Sequence, residues 1–129
     1  MTREEIIELA EEWLESVPDI KKDIKFIDSE IKKYSFDKEY IDMIKKRKVR
    51  IQFKLSKIIS AVSTLKEEDQ RMICYKYFDK LTYKVIASMV GHTPGTIARR
   101  LEKSKLTIGR IMFGFEDEFW RAIDEYSIH

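Results

Sequence analysis

Between Ile41 and Leu65 an apolar side chain returns every three or four positions, at Ile41, Ile44, Ile51, Leu55, Ile58, Val62 and Leu65, with Lys48 the single polar member of the series. Steps of three and four keep a stripe on one side of a 3.6-residue helix, whereas a half-buried strand needs steps of two. The stretch therefore predicts one long helix with a single apolar edge. A second series, Ile20, Ile24, Ile27, Ile31 and Tyr34, steps by four, three, four and three, and Ser35-Phe36-Asp37 separates the two. Together they predict an antiparallel helical hairpin with coiled-coil character. Residues 20–34 are shorter than 38–65, so the longer helix needs a further partner: the N-terminal helix, the C-terminal helix or a second subunit. The pattern leaves open whether the seam closes within one chain or between two, and a homodimer is the expectation carried forward. Lys48 either selects register and oligomeric state or reaches solvent by snorkelling.

Charged residues make up 37% of the 129 and hydrophobic ones 43%, with only four Gly and two Pro, a balance that favours amphipathic helices over sheets. The predicted class is all-α, with one domain or one small domain plus an extended arm. The net charge of +2 conceals a segregation: −6 over residues 1–19, +7 over 20–64, 0 over 65–81, +5 over 82–112 and −4 over 113–129. A basic middle between acidic ends suits a central surface that meets a polyanion, although solvated lysine-rich helices give similar sums. The densest patch, Lys45-Lys46-Arg47-Lys48-Val49-Arg50, spreads around a helical cylinder. A solvated face is its first reading, with phosphate or polymerase contact as the other.

Residues 3–15 predict a short helix with Ile6, Ala10 and Trp13 on its apolar face, supported by Ile7, Leu9 and Leu14. It should end near Ser16, because Pro18 disfavours helical geometry at Val17. The single cysteine, Cys74, allows no intramolecular disulfide, and its place beside Ile73 and Tyr77 reads as a structural thiol. The acidic N-terminus is unlike a signal peptide and no apolar run approaches ~18 residues, so a cytoplasmic protein without a membrane partner is expected. The histidines His92 and His129 are far apart in sequence, there is one cysteine, and no glycine-rich phosphate loop is present. That inventory argues against an enzyme, a cofactor, a metal centre or a small-molecule substrate.

The stretch Thr82 to Ser104, TYKVIASMVGHTPGTIARRLEKS, reads as two short helices around a tight turn. Ile86 and Val90 lie one turn apart on the first, Ile97 and Leu101 on the second, and Ala87 is small where the helices must cross. Gly91 can end the first helix in a left-handed conformation, Thr93 can cap the second, and Pro94 falls at its first position. The same features occur in ordinary helical hairpins, but residues 82–112 hold six basic side chains against Glu102 alone. A second helix with Thr93, Thr96, Arg99 and Lys103 outward and Ile97 and Leu101 inward suits the DNA major groove. Residues 66–79 predict a preceding helix, and Leu106, Ile108, Ile111 and Met112 continue an apolar face before Gly109 and Gly114 weaken the helix. In the acidic tail, Phe115, Phe119 and Ile123 share a face with Trp120 beside it, a stripe expected to dock on the protein's own arm or on a partner helix.

From Leu65 the run LKEEDQRMICYKYFDKLTYKVIASMVGHTPGTIARRLEKS resembles region 4 of the sigma-70 family, the domain that reads the promoter −35 element. The resemblance rests on Tyr77-Phe78, Leu81-Thr82, Ile86-Ala87, Val90-Gly91, Gly95-Thr96-Ile97 and Arg100-Leu101. His92 and Val85 depart from it, standing where the family favours an aliphatic residue and Glu. No stretch upstream resembles region 2. A helical arm followed by a region 4 module is similar to phage late-gene activators of the ArpU and RinA type. The resemblance implies a division into an arm (1–64, oligomerisation), a helix-turn-helix DNA-binding module (65–112) and an acidic aromatic C-terminal helix (113–129). It implies a transcription regulator acting on double-stranded DNA with RNA polymerase, through Tyr83, Lys84, Thr93, Pro94, Gly95, Thr96, Arg99, Arg100, Lys103 and Lys105. Of these, Lys84, Arg100 and Lys105 are expected on phosphates. A small terminase-like DNA-packaging subunit and a polymerase-docking protein without sequence readout are the alternatives.

Overall fold

The structure is a computed structural model that describes residues 1–127. His129 lies outside the described residues. Every regular element among them is helical: α1 (Arg3–Glu15), α2 (Val17–Lys33), α3 (Lys38–Ser63), α4 (Glu67–Ile73), α5 (Tyr83–Val90), α6 (Pro94–Phe113) and α7 (Asp117–Ser127). No described helix is long and apolar enough to cross a membrane.

Side chains at the helix starts take up backbone N–H groups that the helices leave without partners. Thr2 accepts from the Glu5 N–H at 3.2 Å ahead of α1, and Asp37 accepts from the Tyr40 N–H at 3.1 Å ahead of α3. Pro18 sits in the first turn of α2, which follows α1 after the single residue Ser16. Residues 66–79, expected as one helix, instead divide into α4 and a wider π-helical turn at Cys74–Phe78. In that turn Tyr77 is buried and Cys74 half-buried, and burial raises the pKa of the Cys74 thiol.

The core is built where α1, α3, α4 and α5 gather around α6, with α2 adding Val17 and Ile20 from its place against α3, α1 and the π-helical turn. Leu14, Ile58, Met72, Ile73, Ile86, Ile97, Leu101 and Ile108 are all at most 1% exposed. On α1 the buried residues are Ile6, Ala10 and Leu14, while Trp13, expected on that face, is half-buried at its edge, with Phe113 edge-on at 5.1 Å.

α2 and α3 run antiparallel, since Tyr40 donates to Glu30 at 3.0 Å while Arg47, further along α3, meets Asp23, earlier on α2, at 3.4 Å. Their ends nearest the connecting loop bury Ile27 and Ile44 against each other's helices, apart from the main core. Most of the long seam packs inside this one chain, with Ile44, Ile58 and Val62 at most 8% exposed and Ile51, Leu55 and Leu65 partly buried against the core. Lys48 neither snorkels into water alone nor intrudes unpaired, because Asp28 takes its ammonium in an ion pair.

Two expectations for the C-terminal third are corrected. α6 continues unbroken through Gly109, which by propensity should weaken it, because α1 occupies the space a side chain would need. A Cβ at Gly109 would lie 2.4 Å from Ile6 Cγ2 and 2.9 Å from the Ile6 carbonyl oxygen. The aromatic stripe of the tail, expected to dock, stays largely open: Phe115, just ahead of α7, is 39% exposed and Trp120 51%. Gly114, at φ +99°, turns the chain off α6, and α7 is tied at its start to the amino terminus, where the Asp117 N–H donates to the Met1 carbonyl and the Met1 ammonium meets Asp117, both at 3.0 Å. Arg110 holds Glu116 in an ion pair, and this hydrogen bonding lowers the Glu116 pKa to about 2.

Candidate nucleic-acid interface

α5 and α6 are joined by three residues, and each boundary has a local cause. Thr82 caps α5 by accepting from the Val85 N–H at 3.3 Å. Gly91 ends it at φ +79°, a conformation that costs a residue with Cβ about 1 kcal/mol or more, and the N–H groups of Gly91 and His92 both reach the Ala87 carbonyl, at 2.9 and 3.2 Å. Thr93 then accepts from the Thr96 N–H at 3.2 Å, with Pro94 in the first turn of α6. Ile86 and Ala87 on α5 and Ile97 and Leu101 on α6 are buried, which fixes the angle between the helices and leaves the opposite side of α6 in solvent.

On that side Thr96, Arg99 and Lys103 follow one another at steps of three and four. Arg99 and Lys103 are exposed, Thr96 is half-buried, and an Arg99 guanidinium nitrogen donates to Thr96 Oγ1 at 3.3 Å. Thr93, Pro94 and Gly95 are exposed at the tip of α6, and Lys84 is exposed in the first turn of α5. Tyr83 is half-buried under the Lys76 ammonium, 4.5 Å from the ring centroid. Among the described residues neither Lys84 nor Lys103 is in an ion pair.

Arg100 faces inward from this surface. It pairs with Glu68 at 3.0 Å and Asp69 at 2.8 Å, and His92 Nε2 lies 2.9 Å from the same Glu68 oxygen. The first turn of α4 thus clasps both the α5–α6 turn and the start of α6. Hydrogen bonds from His92 and then Arg100 lower the Glu68 pKa. With two carboxylates already on its guanidinium, Arg100 acts here to position α6.

Lys105 does not stand where a phosphate could meet it. It is 3% exposed, on the side of α6 that faces α1, with Glu102 at 2.6 Å and Glu11 at 3.5 Å. Tyr77 completes the group through Glu11 at 3.5 Å, and burial raises its pKa to about 12. Burial opposes the lysine's charge, but the Glu102 hydrogen bond and the neighbouring Tyr77 and Glu11 outweigh it and keep the ammonium protonated. Replacing Lys105 by methionine, of similar length and without charge, should leave the salt slope of DNA binding as it is, since no phosphate contact is lost. Its cost falls on stability, because Glu102 and Glu11 lose their shared cation, a cost limited by the access both carboxylates keep to solvent. Lys103→Met should reduce the slope by ~1. Parallel salt titrations check this, and a slope change in Lys105→Met would return that residue to the interface.

Two basic residues absent from the sequence reading lie along α6. Arg3 of α1 lines an open groove of 510 Å³ with Arg99, Lys103 and Arg110, and Lys66 lines one of 350 Å³ on the other flank with Arg100 and Lys103. No spacing rule links Arg3 to residues almost a hundred positions later; Lys66 was visible only as one charge in a segment of zero net charge. No group of His, Cys, Asp and Glu among the described residues could hold a metal ion. No family model, curated protein or solved structure matches the chain.

Proposed function

We propose that this protein is a sequence-specific DNA-binding transcription regulator of a phage or mobile element, built as a region 4-like helix-turn-helix (65–112) on a helical arm (1–64), and working as a homodimer at a promoter with RNA polymerase. The observation that supports it is the outward side of α6, where Thr96, Arg99 and Lys103 stand together beyond a capped turn while Ile97 and Leu101 are buried behind them. An α-helix fits the major groove with its N-terminal residues at the base edges, and exposed cations at its flanks find phosphates. Lys84, Lys103, Lys66 and Arg3 are the flanking cations here.

Fragments selected from element and host DNA give the test. With about four phosphates neutralised by each protomer, log Kobs for the dimer should fall with log salt at a slope of roughly −7, as condensed counterions are released. An affinity indifferent to salt, or binding equal on selected and random duplexes, overturns the reading. Co-purification of polymerase without retardation of any DNA would favour a docking protein, and a ring-sized mass would favour a packaging subunit.

A further inference from the structure

Two helices each leave an apolar face without cover, and the faces are flanked by opposite charge. On α3, Val49 is 66% and Phe53 67% exposed; beside Phe53, Ile111 of α6 is 52% exposed. Phe53, Ile111, Met112 and Lys57 line an open groove of 470 Å³ between α3 and α6. Single exposed apolar residues are ordinary, but a contiguous set in a groove marks an interaction site. The other face is at α7, where the rings of Phe115, just ahead of the helix, and of Phe119 and Trp120 on it cluster at 4.3 to 6.0 Å and Trp120 is 51% exposed. α7 carries Asp117, Glu118, Asp124 and Glu125 against Arg121 alone, whereas Lys57 lines the groove on its α3 side, with Lys54 and Arg50 preceding it along the same helix at steps of three and four.

The heptad seam of α3 packs largely within the chain, whereas Val49, Phe53 and Ile111 offer a homodimer a more exposed apolar surface. We propose that α7 of one copy lies in the α3–α6 groove of a second copy, and the reverse, closing a two-fold dimer. An acidic amphipathic helix with an apolar stripe is the chemistry such a basic, aromatic groove accepts, and a two-fold axis uses each patch twice. Within one chain the tie between Asp117 and the amino terminus holds the start of α7 at α1, and Phe53 and Ile111 remain uncovered.

Sedimentation of the full chain over a concentration series should show a monomer–dimer equilibrium. Phe53→Glu and Trp120→Glu should each raise its dissociation constant at least tenfold while circular dichroism and melting show a folded chain. In a Cys74→Ser background, a chain bearing Phe53→Cys is mixed with one bearing Trp120→Cys and oxidised. A mixed disulfide dimer is expected, well above the yield of either chain alone. A monomer at every concentration, a dimer insensitive to both glutamates, or no mixed disulfide overturns the proposal. An intramolecular disulfide in the dilute doubly substituted chain would place α7 on its own groove and overturn it equally. No DNA enters these measurements, so their failure and a failure of DNA binding are told apart.

Discussion

Gly109→Val should lower the melting temperature by about 4–11 °C, while Gly95→Ala in the same helix should hold or raise it. At Gly109 an added Cβ meets Ile6 Cγ2 at 2.4 Å and the Ile6 carbonyl oxygen at 2.9 Å. The methyl end of Ile6 can turn aside, but its carbonyl belongs to the backbone of α1 and moves only if that helix moves. Overpacking of this kind costs about 1–3 kcal/mol and sometimes more, against a total stability of order 5–15 kcal/mol. The larger helix propensity of the new residue returns less than ~1 kcal/mol. Gly95 has ordinary φ and nothing within 4 Å of an added Cβ, so there the propensity gain stands unopposed. Thermal melts of both variants decide it; equal melting temperatures would mean that α1 does not sit against α6 at Gly109.

The parts of this structure that were legible in the sequence are those whose causes are local. Gly91, Thr93 and Pro94 act within a turn of their own position, so their types alone mark the end of α5 and the start of α6. The α3 seam was legible because one helix carries the whole pattern. Whether it closed within the chain was not, since Ile44 and Lys48 meet Ile27 and Asp28 only after a loop reverses the direction. Lys105 was misread because its surroundings come from Glu11 and Tyr77, far away in sequence, and a lysine on a basic helix carries no mark of burial. Arg100 was legible only in its place on α6, because the Glu68 and Asp69 carboxylates that draw it inward stand on another helix, far back in the sequence. The tail showed its amphipathic pattern, while the contact with Met1 that holds the start of α7 comes from the other end of the sequence.

Arg99→Ala should flatten base preference at one position of the bound site, whereas Lys84→Ala should weaken all sites about equally and reduce the salt slope by ~1. Arg99 stands two residues after the buried Ile97, on the solvent side of the second turn of α6, with Thr96 Oγ1 at 3.3 Å steadying its guanidinium. A guanidinium offers two parallel donors that match guanine O6 and N7, and one such pair discriminates by ~1–3 kcal/mol against the wrong base. Lys84 is exposed in the first turn of α5, the helix that supports α6 from behind, where an ammonium meets phosphate and carries no sequence information. Arg100 separates these roles from a structural one. Arg100→Ala leaves Glu68 and Asp69 facing each other without their shared cation, so its main effect should be a lower melting temperature, with loss of DNA binding following the loss of fold. Binding on a panel of single-base operator variants, read beside melting curves, sorts the three. If Arg99→Ala lowers affinity by one factor across the whole panel, the guanidinium contacts backbone, and base reading must come from Thr96 or the tip of α6.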